Sequence, residues 1–175
     1  MKKITTVLYF LMLSTKAFAT DQMSEILMYE GKVKPLLSEP LEPYFNEQPH
    51  PRLKNTTCNG ISTNNWRGYV GTWEIKENVL YLIKLVKGNC SGNPPEIPLT
   101  KIFPTQPTPI KAIWFSGTLK VPFGKSLYSG LMYEKELLFM VENGVIISKK
   151  LVNNSNEALP IEHEITSEEL RNLNH

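Results

Sequence analysis

Four glutamates, Glu74, Glu134, Glu136 and Glu142, lie in segments patterned as strands. Two carboxyls at the right separation suffice for glycoside hydrolysis, one to protonate the leaving group and one to attack or to activate water. Lys76, Lys84, Lys135 and Lys149 are interspersed among these acids, so the plainer expectation is a solvated strand face of mixed charge. Glu74 stands apart because it abuts Trp73 and faces Tyr81 across a predicted hairpin. Nucleophilic chemistry has less support. The G-x-S-x-G elbow of serine hydrolases is absent, and Ser116 and Ser129, each preceding a glycine, fall in strand or turn patterns. His163 sits between Glu162 and Glu164, yet neighbours on an extended chain point to opposite faces and make a poor proton relay. His50, in Pro49-His50-Pro51-Arg52, is expected to be a contact residue on a rigid loop. Cys58 and Cys90 are the only cysteines, and no C-x-x-C or H-x-x-x-H spacing accompanies them. The pair therefore reads as a disulfide rather than as metal ligands, which also removes a free thiol nucleophile. No catalytic residue, metal or cofactor is expected from these patterns.

The elements that position these residues read as strands. Residues 66–75 and 79–86 are rich in aromatic and β-branched side chains and flank a turn at Glu77-Asn78. A two-residue loop there sets Ile75 opposite Leu80 and Trp73 opposite Leu82 on one face, with Glu74 opposite Tyr81 and Thr72 opposite Ile83 on the other. A second hairpin spans residues 136–151 around Asn143-Gly144, a strong two-residue turn signal, and sets Val141 opposite Ile146 and Met140 opposite Ile147. Residues 113–121 predict a further strand, with Ile113, Phe115, Gly117, Leu119 and Val121 on one face. Residues 26–29 and 33–37 form another candidate pair around Glu30-Gly31. Two proline-rich connections, residues 40–51 and 94–109, hold ten of the thirteen prolines and so are expected as rim loops rather than central strands, the first with a helical turn near Tyr44. Residues 166–173 begin with a capping threonine and early acids, a short helix start. The expected fold is mainly β: antiparallel hairpins forming a sandwich or a small barrel, with proline-rich loops and a short C-terminal helix.

Residues 1–19 read as a signal peptide: Lys2 and Lys3 precede the apolar run 5–13, and Ala17-Phe18-Ala19 supplies a small-x-small cleavage site. The run is shorter than the roughly 18 residues a spanning helix needs, so a protein that is not membrane-embedded is expected. Cleavage near Ala19 leaves residues 20–175 as a single mainly-β domain, located in the periplasm or secreted. The leader also carries Lys2, Lys3 and Lys16, so 16 of the 19 basic residues remain against 17 acids, and the formal charge moves from +2 to −1. With no basic excess or Lys/Arg cluster, nucleic acid is not an expected partner.

Trp66-Arg67-Gly68-Tyr69, followed by Thr72-Trp73-Glu74-Ile75 and then Leu80-Tyr81-Leu82, resembles a motif in a group of small bacterial exported proteins with no established activity. The resemblance spans about a quarter of the chain and singles out Trp66, Arg67, Tyr69, Trp73 and Glu74 as candidate contacts for a ligand or partner. Physically, Arg67 suits a cation–π contact with Trp66 or Tyr69 or a carboxylate pair, while Gly68 and Gly71 allow a bulky group to approach the strand. Gly71-Thr72-Trp73 is also similar to the G-x-W of lipocalins, which implies a small-ligand-binding barrel, although in lipocalins the motif lies in the first strand. The leading expectation is a non-enzymatic module that binds a protein partner, for instance an immunity protein or inhibitor of a toxin or envelope enzyme. The lipocalin-like barrel is its alternative, and a carboxylate-dependent envelope hydrolase the third.

Overall fold

Three tight turns organise the sheet, and each is built from two consecutive residues with positive φ: Glu30 and Gly31, Glu77 and Asn78, Asn143 and Gly144. Two left-handed residues in succession give a turn whose twist matches that of the strands it joins, so each nucleates an antiparallel hairpin. The computed structural model describes residues 22–45, 53, 57–60, 62–127, 132–155 and 161–173. The leader, its cleavage site and His50 lie outside the described residues. The three hairpins are β1 (Glu25–Tyr29) with β2 (Lys32–Leu36), β3 (Tyr69–Lys76) with β4 (Val79–Lys87), and β7 (Tyr133–Glu142) with β8 (Val145–Asn153). Between them come the two-residue β5 (Ile110–Lys111) and β6 (Gly117–Ser126), and the chain ends in β9 (Ile161–Glu164) and α1 (Ser167–Leu173).

All nine strands join one mixed sheet in the order β2-β1-β3-β4-β8-β7-β6, with β5 on β4 and β9 on β8. Hairpin pairing is antiparallel throughout, whereas β1 lies parallel to β3, with Leu27 beside Trp73. The ladder does not close. Its two edges nevertheless meet just beyond β2, where the Leu37 amide donates to the Lys120 carbonyl at 2.9 Å. The inner face of this rolled sheet is filled: Leu27, Leu36, Tyr69, Trp73, Leu80, Leu82, Leu119 and Phe139 are all buried and belong to one apolar cluster. The chain is thus mainly β, as its patterning predicts.

Three local expectations are corrected. Thr72 pairs with Lys84 rather than Ile83, because a bulge inserts Ile83 after the Trp73–Leu82 pair. Met140 pairs with Ser148 rather than Ile147, because Ile147 is the extra residue of a second bulge. The strand expected over residues 113–121 begins only at Gly117, since the chain turns where the Phe115 amide donates to the Ala112 carbonyl, leaving Ile113 57% exposed. The second proline-rich connection is more than a rim loop. Its Pro95 carbonyl accepts from the Lys87 amide and its Ile97 amide donates to Leu85, so the segment runs along β4 and places Ile97, Leu99, Ile102 and Phe103 in the core. The first connection makes a single 3-10 turn at Glu42–Tyr44. Aromatic contacts link the two: Phe103 stacks on Trp114 at 5.1 Å, and Tyr44 touches both rings.

Candidate functional site

Strand alternation sends Glu25, Leu27 and Tyr29 to the inner face of β1, so the first strand carries a carboxylate into the apolar interior. Parallel pairing of β1 with β3 brings Trp73 alongside, and its indole N–H donates to Glu25 Oε2. Gly71 makes this approach feasible. A Cβ there would lie 2.8 Å from Trp73 Nε1 and 2.9 Å from Glu25 Oε2, so the bulky group that the glycine admits comes from the chain itself. Arg67, on the loop entering β3, lies with its Nε 3.7 Å from Glu25 Oε1, pairs through Nη1 with Glu39, and donates from Nη2 to the Met23 carbonyl at 2.8 Å. Its guanidinium also sits 5.7 Å from the Tyr69 ring centre, and the Tyr69 hydroxyl donates to Glu42.

Asn65 positions the loop that carries Arg67. Fully buried, it donates to the Tyr69 carbonyl at 3.1 Å and accepts from the Gly68 amide at 3.0 Å. Three carboxylates, Glu25, Glu39 and Glu42, therefore gather near one guanidinium. Glu25 Oε1 and Arg67 Nε are both buried and without a hydrogen bond, so the two groups approach without an aligned donor and acceptor. Burial pushes the Glu25 carboxyl up to about 7, against the opposing pull of Arg67 and the Trp73 indole. The Tyr69 hydroxyl is likewise driven well above its ordinary range, by burial first and then by Glu25 and Glu42.

Of the five candidate contacts, Arg67, Tyr69 and Trp73 converge here and are buried. Trp66 is half-buried and joins none of these contacts among the described residues. Glu74 points to the opposite face of β3, opposite Tyr81 as expected, and is half-buried. It lines an open groove of about 450 Å³ with Met28, Tyr29, Glu30, Ile75 and Lys149. In that groove the Lys149 ammonium donates to the Tyr29 hydroxyl at 2.8 Å and stands 5.3 Å from its ring centre. Burial and the neighbouring Glu30 push the Tyr29 hydroxyl upward. A second lobe of about 310 Å³ shares Glu30 and Lys149 and extends to Ile165, Leu170 and Arg171 beside α1.

Cys58 and Cys90 form the expected disulfide, tying the loop that carries Arg67 to the end of β4. Among the described residues no group of three or more His, Cys, Asp or Glu side chains is placed to hold a metal ion, and no helix is long and apolar enough to cross a membrane. A fully buried Glu25 cannot meet a substrate, so the chemistry of this cluster is structural: it locks the start of β1 onto β3 and the Arg67 loop. Sequence reasoning did not single out Glu25. The signal was present in the alternation Glu25-x-Leu27-x-Tyr29, which puts the acid on the same face as two core residues. No family model, curated protein or solved structure matches the chain.

Proposed function

We propose that the chain acts after export as a non-enzymatic protein-binding module, of the kind that serves as an immunity protein or inhibitor of a toxin or envelope enzyme. The observation that carries this reading is the contrast between the two faces of the sheet. Trp73, the side chain that would line a ligand cavity in a lipocalin-like barrel, is fully buried against Leu27, Leu82 and the Glu25 carboxylate, and its neighbours fill the interior. Outside, Ile147 and Ile113 are 60% and 57% exposed and Val145 is 37% exposed. All three lie close to the Asn143-Gly144 turn, where the Gly144 amide donates to the Phe115 carbonyl and the Gly144 carbonyl accepts from Leu80. Exposed apolar side chains beside a hydrogen-bonded turn are candidates for the desolvated centre of a protein interface. Arg67, Tyr69 and Trp73 of the W-R-G-Y and T-W-E motif then serve the scaffold, while Trp66 and Glu74 are half-buried.

Export rests on the leader at residues 1–19 and is supported by the Cys58–Cys90 disulfide, a bond characteristic of oxidising compartments. The test is capture of envelope proteins on the immobilised wild-type chain and on an Ile113→Lys, Ile147→Lys variant. A partner retained by the wild type and lost by the variant at unchanged thermal stability supports the reading. Equal retention by both chains moves the interface elsewhere, and failure of the wild type to retain any envelope protein counts against a binding module.

A further inference from the structure

The two edges of the sheet are in register for closure and yet do not pair. Tracing strand directions through the order β2-β1-β3-β4-β8-β7-β6 makes β2 and β6 antiparallel. The bond from the Leu37 amide to the Lys120 carbonyl sets those two residues opposite one another. Counting back along β2 and forward along β6, Leu36 then faces Val121, Pro35 faces Pro122 and Lys34 faces Phe123. Two side-chain observations agree with this register. Leu36 and Val121 are both buried on the inner face, and the Lys34 ammonium lies 4.8 Å from the centre of the Phe123 ring.

Residues 35 and 122 turn their backbone nitrogens toward the seam. Leu37 and Lys120 do so, as their bond shows, and the strand repeat of two carries the same orientation to 35 and 122. In an antiparallel ladder each hydrogen-bonded rung takes both N–H donors from the two opposed residues. At this rung both residues are prolines, so two carbonyls face each other with no donor between them. On the other side of the rung, Ser38 substitutes for backbone pairing: its hydroxyl donates to the Thr118 carbonyl and accepts from the Lys120 amide, both at 2.8 Å.

We propose that the facing prolines Pro35 and Pro122 form a seam lock, a single donorless rung that keeps this sheet from closing into a seven-stranded barrel and leaves β2 as an open edge along β6. The β2 edge is held to β6 by the Leu37 rung, the Ser38 bridge and the Lys34–Phe123 contact.

Pro35 is exposed, so Pro35→Val restores a donor without removing a core contact. Amide exchange measured by NMR on this variant should show the new amide at position 35 exchanging at least roughly tenfold more slowly than that of Val33 on the same edge, as expected of an amide engaged in a ladder. The amides of β1 and β2 as a group should slow with it. Pro122→Val provides the reciprocal donor and should protect position 122 in the same way. Fast exchange at both restored amides in variants that keep the wild-type fold would overturn the proposal. So would concentration-dependent dimerisation of either variant in the ultracentrifuge, because the freed donor would then have paired with another chain and not with the facing strand.

Discussion

At Glu25 a carboxyl is buried whole, and the consequence is a dependence of stability on pH with a defined sign. Its folded value is raised to about 7, above the 4.5 of an exposed glutamate, so the folded chain holds a proton that the unfolded chain releases between those two values. The contribution is fully present below about pH 4.5 and is lost as pH rises through 7. At 1.4 kcal/mol per unit the interval is worth about 3 to 4 kcal/mol. Urea unfolding of the wild type and of Glu25→Gln at pH 5 and at pH 8 should show the wild type losing stability relative to the variant as pH rises. An unchanged difference between the two chains at the two pH values would show that Glu25 is ionised throughout. The raised value arises although Arg67 lies nearby, because desolvation outweighs an ion pair lacking a good hydrogen bond. The sequence offered Arg67 a cation–π contact with Trp66 or Tyr69, or a carboxylate, and of these the structure uses Tyr69 and carboxylates. The sequence did not foretell which carboxylate, since Glu25 reaches Arg67 only through β1–β3 pairing, a contact 48 residues apart at Glu25 and Trp73 that leaves no local pattern.

The hairpins were the most legible elements, because their information is local: two residues tolerant of positive φ between two alternating runs specify turn, register and partner together. That is why Trp73–Leu82, Glu74–Tyr81, Ile75–Leu80 and Val141–Ile146 pair as expected. Register fails at the bulges for an equally physical reason. Within Leu82-Ile83-Lys84 and Ile146-Ile147-Ser148 one inserted residue preserves an apolar character that alternation alone cannot distinguish from continued pairing. At the other end of the chain, α1 is made by a reciprocal cap. The Thr166 hydroxyl accepts from the Glu169 amide at 3.2 Å, and the Glu169 carboxylate accepts from the Thr166 amide at 3.0 Å and from its hydroxyl at 2.9 Å. His163 of β9 adds a contact at 2.7 Å to the other oxygen of Glu169, and the bonds to Thr166 and His163 together hold the Glu169 carboxyl down at about 2. Thr166→Ala should return that carboxyl toward the ordinary glutamate range in an NMR titration. The same change should weaken the helix by about 1 kcal/mol, read as faster amide exchange in its first turn. A Glu169 titration that does not move would assign the depression to His163 instead.

For the molecule as a whole, the disulfide and the proline-rich segment along β4 brace the region where hairpin pairing ends. Cys58 and Cys90 are 32 residues apart and enclose the Arg67 loop and the entire β3–β4 hairpin. Closing a loop of that length restricts the unfolded chain by about 3 to 4 kcal/mol in the chain-entropy account. A Cys58→Ser, Cys90→Ser variant should therefore lose roughly that much in urea unfolding. A loss below about 1 kcal/mol would mean that Asn65 and Asn89 hold the loop without the bridge, through the Asn65 bonds to Tyr69 and Gly68 and the Asn89 bonds to Gly60 and Ser62. The parallel placement of β1 carries a further consequence, for time instead of stability. The β1–β2 ribbon is complete by residue 36 and is the first part of the described chain to be synthesised, but its partner β3 does not begin until Tyr69. Such ribbons are marginal on their own, so this one must wait for at least 33 more residues to be made before the strand that buries Glu25 and Leu27 can dock. The first hairpin of the described chain is thus completed by a strand that is made later.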